Sequence, residues 1–103
     1  MVVSALNESS SAEGVNSDQS SNAAKSSGAA YLFRRSNSGT WSQSAYMKAT
    51  NTGESDWFGN SLAVLGDGSM VFVSAPYEKS SATGINGDQR NDDSWFTGAV
   101  YAY

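Results

Sequence analysis

Val73-Ser74-Ala75-Pro76-Tyr77-Glu78-Lys79-Ser80-Ser81-Ala82 aligns with Val3-Ser4-Ala5-Leu6-Asn7-Glu8-Ser9-Ser10-Ser11-Ala12 at an offset of 70 positions. The register holds without a gap to the last residue. Gly14 falls on Gly84, Asn16 on Asn86, Asp18-Gln19 on Asp88-Gln89, Gly28-Ala29 on Gly98-Ala99 and Tyr31 on Tyr101. A serine-rich composition accounts for the shared serines. It does not place Glu, Asn, Asp-Gln, Gly-Ala and Tyr in one register. Residues 32–72 occur once, so the chain carries one full period and the repeated part of a second. A repeat of this kind is a supersecondary unit that buries its faces against its neighbours.

Working outward from the repeat, six segments read as short strands. Val2 to Ala5 is a stub, and Ala29 to Phe33 follows a glycine. Trp41 to Lys48 alternates, with Trp41, Gln43, Ala45 and Met47 on one face. Phe58 to Leu65 places Phe58, Asn60, Leu62 and Val64 together. Met70 to Ala75 is nearly continuous in apolar residues, the pattern of a strand buried on both faces. Ala99 to Tyr103 repeats Ala29 to Phe33. Asp67-Gly68 between two apolar runs predicts a type I′ hairpin turn, and Ser36-Asn37-Ser38-Gly39 a second turn. Arg34-Arg35, the one basic pair, is expected in a turn. No window shows a sustained helical period with caps. One long connection, Pro76 to Thr97, has its copy at Leu6 to Ser27; loops of this length are uncommon and often functional.

Composition excludes several functions. Charged residues are only 16 %, below the usual quarter, and the net charge is −4. An acidic chain without basic clusters disfavours nucleic acid or an anionic membrane as partner. No apolar run has the length of a membrane span, and Val2-Val3-Ser4 shows no signal-peptide pattern. Cysteine and histidine are both absent, which removes disulfides, thiolate metal sites and the commonest general base. Without histidine the many serines lack the usual activating partner, and no phosphate-binding glycine motif follows a strand. Asn7-Glu8-Ser9 fits a glycosylation sequon, a short and weak match.

Four short hairpin-linked strands per period is the pattern of a propeller blade. Phe58-Gly59 before an apolar strand, then Val73-Ser74-Ala75-Pro76, then Gly98-Ala99-Val100-Tyr101, resembles the FG-GAP repeat of integrin-type β-propellers. Trp41-Ser42-Gln43-Ser44-Ala45-Tyr46-Met47-Lys48-Ala49 is similar to the stretch between such repeats in bacterial extracellular proteins. The resemblance implies an all-β fold of four-stranded antiparallel β-propeller blades, here about one and a half repeats of ~70 residues. On that division, 1–33 is a partial blade of strand stub, long loop and strand. Residues 34–103 form a second repeat unit that completes one blade and starts the next. The integrin-type calcium loop does not carry over, because Gly66-Asp67-Gly68-Ser69 is short and poor in oxygen ligands. Closure of a propeller takes more blades than this chain supplies, so a longer propeller chain or a homo-oligomer is implied.

The long loop is the candidate site. Glu78, Asn86 and Asp88 recur as Glu8, Asn16 and Asp18, an oxygen-only set suited to calcium. The competing reading is that Asn and Asp fold the loop by bonding their own backbone in Asx-turns. Trp95, Phe96 and Tyr77 are candidates for stacking on a glycan or anchoring a protein partner; the alternative is that Trp95 and Phe96 cover a blade edge. Lys25 stands where Trp95 stands in the other copy, so the repeat itself does not require the aromatic. The chain therefore reads as a non-enzymatic extracellular binding or adhesion module, located at the cell surface or secreted. A self-assembling subunit with open blade edges is the first alternative, and an accessory module of a larger secreted enzyme the second.

Overall fold

The computed structural model describes Met1–Tyr103 and is all-β, without a helix. Six strands run in chain order: β1 Val2–Ala5, β2 Ala29–Arg35, β3 Trp41–Met47, β4 Leu62–Val64, β5 Val71–Ala75 and β6 Ala99–Ala102. They form two antiparallel three-stranded sheets, ordered β1-β2-β3 and β4-β5-β6. A strand stands at each expected place, in sheets of three strands rather than the four expected of a blade, and four further details differ. Phe58 to Leu65 is not one strand, because only Leu62–Val64 pairs. Trp57 and Gly59 take left-handed backbone (φ 58° and 98°), which no ladder accepts, so Phe58 leaves the strand and becomes a joint. Arg34-Arg35 lies at the end of β2 rather than in a turn, with Arg35 opposite Trp41.

The β4–β5 hairpin forms at the expected place with a different turn. Gly68 alone is left-handed (φ 73°), and its N–H donates to the Leu65 carbonyl at 2.8 Å. Asp67 instead accepts from the Ser69 backbone N–H and hydroxyl at 2.9 and 2.6 Å, an Asx-type bond that replaces the type I′ geometry. Nor is β5 covered on both faces. Val71, Val73 and Ala75 are buried while Phe72 and Ser74 are half-buried, the alternation of an antiparallel strand with one core face.

One core joins the two sheets. Ala30 and Met47 from the first sheet pack with Val71, Val73, Ala75 and Tyr101 from the second, and Ala49 and Phe58 from the connection complete the cluster. Phe58 is fully buried, edge-on to Tyr101 and Tyr103 at centroid distances of 5.4 and 6.0 Å. The sequence repeat is also a structural one. β1 pairs with β2 through Ser4↔Ala30 and Ala5↔Ala29, and β5 with β6 through Ser74↔Val100 and Ala75↔Ala99.

Candidate functional site

Each copy of the long loop is folded by the same bonds. The Gly28 N–H donates to the Glu8 carbonyl, and Gly98 N–H to that of Glu78. The Glu8 carboxylate accepts from Ser10 N–H, and that of Glu78 from Ser80 N–H. The Ser27 hydroxyl donates to the carbonyls of Glu8 and Ser10; Thr97 does the same to Glu78 and Ser80. Gly14, Asn16, Ser26 and Gly28 are left-handed, and so are Gly84, Asn86, Phe96 and Gly98. A left-handed serine or phenylalanine is costly for an L-residue. Its recurrence shows that the loop path imposes the conformation at this place, whatever side chain stands there.

What covers the two loops differs. The first is clamped by the end of β3. Lys48 is fully buried, and its Nζ donates to Glu8 Oε2 at 2.8 Å, Ser27 Oγ at 2.7 Å and the Gly28 carbonyl at 2.7 Å. Burial pushes the Lys48 ammonium below the usual lysine value, and the bond to Glu8 with the Glu8 and Asp56 charges pulls it back. Gly14 and Asn16 N–H donate to the Ala49 and Tyr46 carbonyls. Ser55, Trp57 and Phe58 then donate their N–H groups to the carbonyls of Lys25, Ser26 and Ser27. At this joint a Cβ on Gly28 would overlap the Phe58 carbonyl and lie 2.7 Å from its nitrogen. Gly28 is glycine because backbone passes over it.

The second loop lacks the strand and the lysine; its cover is the turn after β3, where Asn51 Nδ2 donates to the Gln89 carbonyl at 2.8 Å and the Tyr77 N–H donates to the Asp56 carbonyl. Glu78 is buried, and its carboxylate accepts from Asn51, Ser80 N–H and Ser80 Oγ, with no ammonium beside it. A Cβ on Gly98 would meet nothing nearer than the Pro76 carbonyl at 3.2 Å.

All of the proposed cation ligands except Asn86 take part in loop folding. Glu8 holds Lys48, and Asn16 Oδ1 accepts from the Tyr46 N–H at 2.9 Å. Asp18 accepts from Ser20 N–H and Asp88 from Arg90 N–H. The Ser20 bond holds the Asp18 carboxyl below the usual range. No group of three or more acidic side chains converges in the structure.

The aromatic candidates do come together. Tyr77 meets Trp57 edge-on at 4.8 Å and Phe96 at 5.2 Å, and Trp95 lies 6.4 Å from Phe96. With Ser55 and Lys79 they line a cleft of about 370 Å³. Trp95 and Phe96 are 75 % and 69 % exposed, so they lie bare at the sheet's end. Lys79 reaches across to the buried Asp56 at 2.8 Å. Burial raises the Asp56 carboxyl, against the pull of Lys79.

The Lys48 seat and the Gly28–Phe58 joint are what reading the residues missed. The signal was present: a lysine within an otherwise uncharged strand, a recurring Glu, and a recurring Gly. Comparison with protein-family models, with curated proteins and with solved structures finds no match.

Proposed function

We propose that the chain is a non-enzymatic extracellular binding module of FG-GAP-like blade units that takes its ligand in the aromatic cleft. The observation that carries this reading is the cleft of Trp57, Tyr77, Trp95 and Phe96. The equivalent places of the first loop hold Asn7, Lys25 and Ser26, and that loop folds by the same bonds. Tyr77, Trp95 and Phe96 are thus surplus to the fold, and clustered exposed aromatics mark interaction sites. Rings of this kind suit a sugar face or an apolar side chain of a protein.

The blade assignment rests on overlaying the copies. The second sheet supplies β4, the two sheets share the β5–β6 and β1–β2 pair, and the first sheet supplies β3. Merged, they give the order β4-β5-β6-β3, the four-stranded antiparallel sheet of a blade. No helix of the chain is long and apolar enough to cross a membrane.

Glycan and peptide arrays probed with the chain and with Trp95→Ala/Phe96→Ala test the reading. The expected result is a ligand retained by the chain and lost by the variant, with the thermal midpoint unchanged. Binding that survives the double substitution would overturn it.

A further inference from the structure

We propose that the β6 edge and the second long loop form a docking site for a segment of the Trp41–Gly59 type belonging to a further repeat unit. This inference rests on comparing the two halves of the chain and does not depend on the ligand of the aromatic cleft.

Most contacts that residues 41–59 make with the first copy have a matching open position in the second; the Glu78 carboxylate is partly taken, because Asn51 Nδ2 already donates to it at 2.8 Å. β3 pairs along β2, while the corresponding edge of β6 is free. The Lys48 ammonium sits on Glu8, Ser27 and the Gly28 carbonyl; Glu78, Thr97 and Gly98 offer the same three oxygens. The buried Glu78 carboxylate is hydrogen-bonded by Asn51 and Ser80 but has no cation beside it, and an incoming lysine supplies the charge partner that Glu8 has. The carbonyls of Lys25, Ser26 and Ser27 accept three N–H groups, and those of Trp95, Phe96 and Thr97 accept no backbone N–H. Gly14 and Asn16 are tied to Ala49 and Tyr46, while Gly84 and Asn86 have no such partner. The surface this leaves open is apolar: Ile85 is 94 % exposed and Val100 70 %, whereas Ala30, the counterpart of Val100, is fully buried.

The occupant follows from counting donors and acceptors. Each chain has two acceptor places, on β2 and on β6, and one Trp41–Gly59 segment, which is used on its own β2. Exchange between two copies fills one place by emptying another and gains nothing. A further unit brings a segment not already in use. Lys25 stays exposed beneath its covering segment, so Trp95 remains open to the cleft when the site is filled.

The test uses the full chain and a synthetic peptide of residues 41–59, followed by backbone amide NMR. The expected result is saturable 1:1 binding that slows exchange at Gly84 and Asn86, and at least tenfold weaker binding by the Lys48→Ala peptide. A fusion placing residues 34–61 after Tyr103, which continues the 70-residue register, removes the entropy cost of the free peptide. It is expected to protect the same amides and raise the thermal midpoint. No protection in either experiment, or binding indifferent to the lysine, overturns the proposal. Concentration-dependent association of the unextended chain through those amides overturns the assigned occupant in favour of a second copy.

Discussion

Lys48 and Glu8, forty residues apart in sequence, meet at 2.8 Å with the lysine fully buried. This contact ties the end of β3 to the start of the first long loop, and the Ser27 hydroxyl and Gly28 carbonyl complete the ammonium's shell. Glu8→Gln removes the charge partner but leaves the buried ammonium, a loss of about 3–5 kcal/mol for a broken buried pair. Lys48→Met added to it removes the stranded charge and recovers much of the loss. Urea denaturation of the two single variants and the double checks this; strictly additive losses would contradict it.

Gly28 and Gly98 occupy the same place in the repeat and predict unequal responses to the same substitution. Both are left-handed, so Ala costs each of them about 1–3 kcal/mol of backbone strain. At Gly28 the new methyl also overlaps the Phe58 backbone, whereas at Gly98 it makes only a tight contact with the Pro76 carbonyl at 3.2 Å. Gly28→Ala is expected to unfold the joint or lower stability well beyond Gly98→Ala. Equal thermal midpoints for the two variants would show that the joint is not closed in solution.

Much of this was legible beforehand. The repeat placed β1 with β5 and β2 with β6, and the alternation of Trp41 to Met47 gave β3. The joint was not legible, because Phe58 and Leu62 share a strand's parity and nothing in residue type announces the left-handed turns at Ser55 and Trp57. The site was half legible for a similar reason. Glu8, Asn16 and Asp18 recur as a ligand set would, but the repetition also serves the loop's own hydrogen bonds. The lysine that takes up Glu8 follows directly on β3, far from the loop in sequence.

Tyr46 has a hydroxyl that is buried without a hydrogen-bond partner. Burial pushes its pKa up to about 12. An unmet buried hydroxyl is costly, so Tyr46→Phe is expected to leave stability unchanged or raise it by up to ~1 kcal/mol. The ring contact with Tyr31 at 5.3 Å is retained. A clear loss in chemical denaturation would mean that the hydroxyl is bonded in solution.

Asp56 sets a pH dependence of definite sign. Its carboxyl is raised in the folded chain by burial, so the fold binds its proton more tightly than the unfolded chain does. The contribution of Asp56 is fully present below the ordinary Asp value near 3.8 and is lost as pH rises through the raised one. The stability of the chain relative to Asp56→Asn should therefore fall with rising pH across that window and level off above it. Denaturation midpoints of both proteins at a series of pH values from 3 upward check this (about the carboxylate range); a relative stability that rises with pH would reverse the assignment.

The most direct measurement is residue-resolved amide exchange on the chain itself, because it compares one loop with its own copy. Gly14 and Asn16 donate to Ala49 and Tyr46, and their counterparts Gly84 and Asn86 have no backbone acceptor. Slow exchange at Gly14 and Asn16 with fast exchange at Gly84 and Asn86 is the predicted result: one loop's tip tied to the chain after it, its twin's tip free. Equal protection at all four amides would contradict the account.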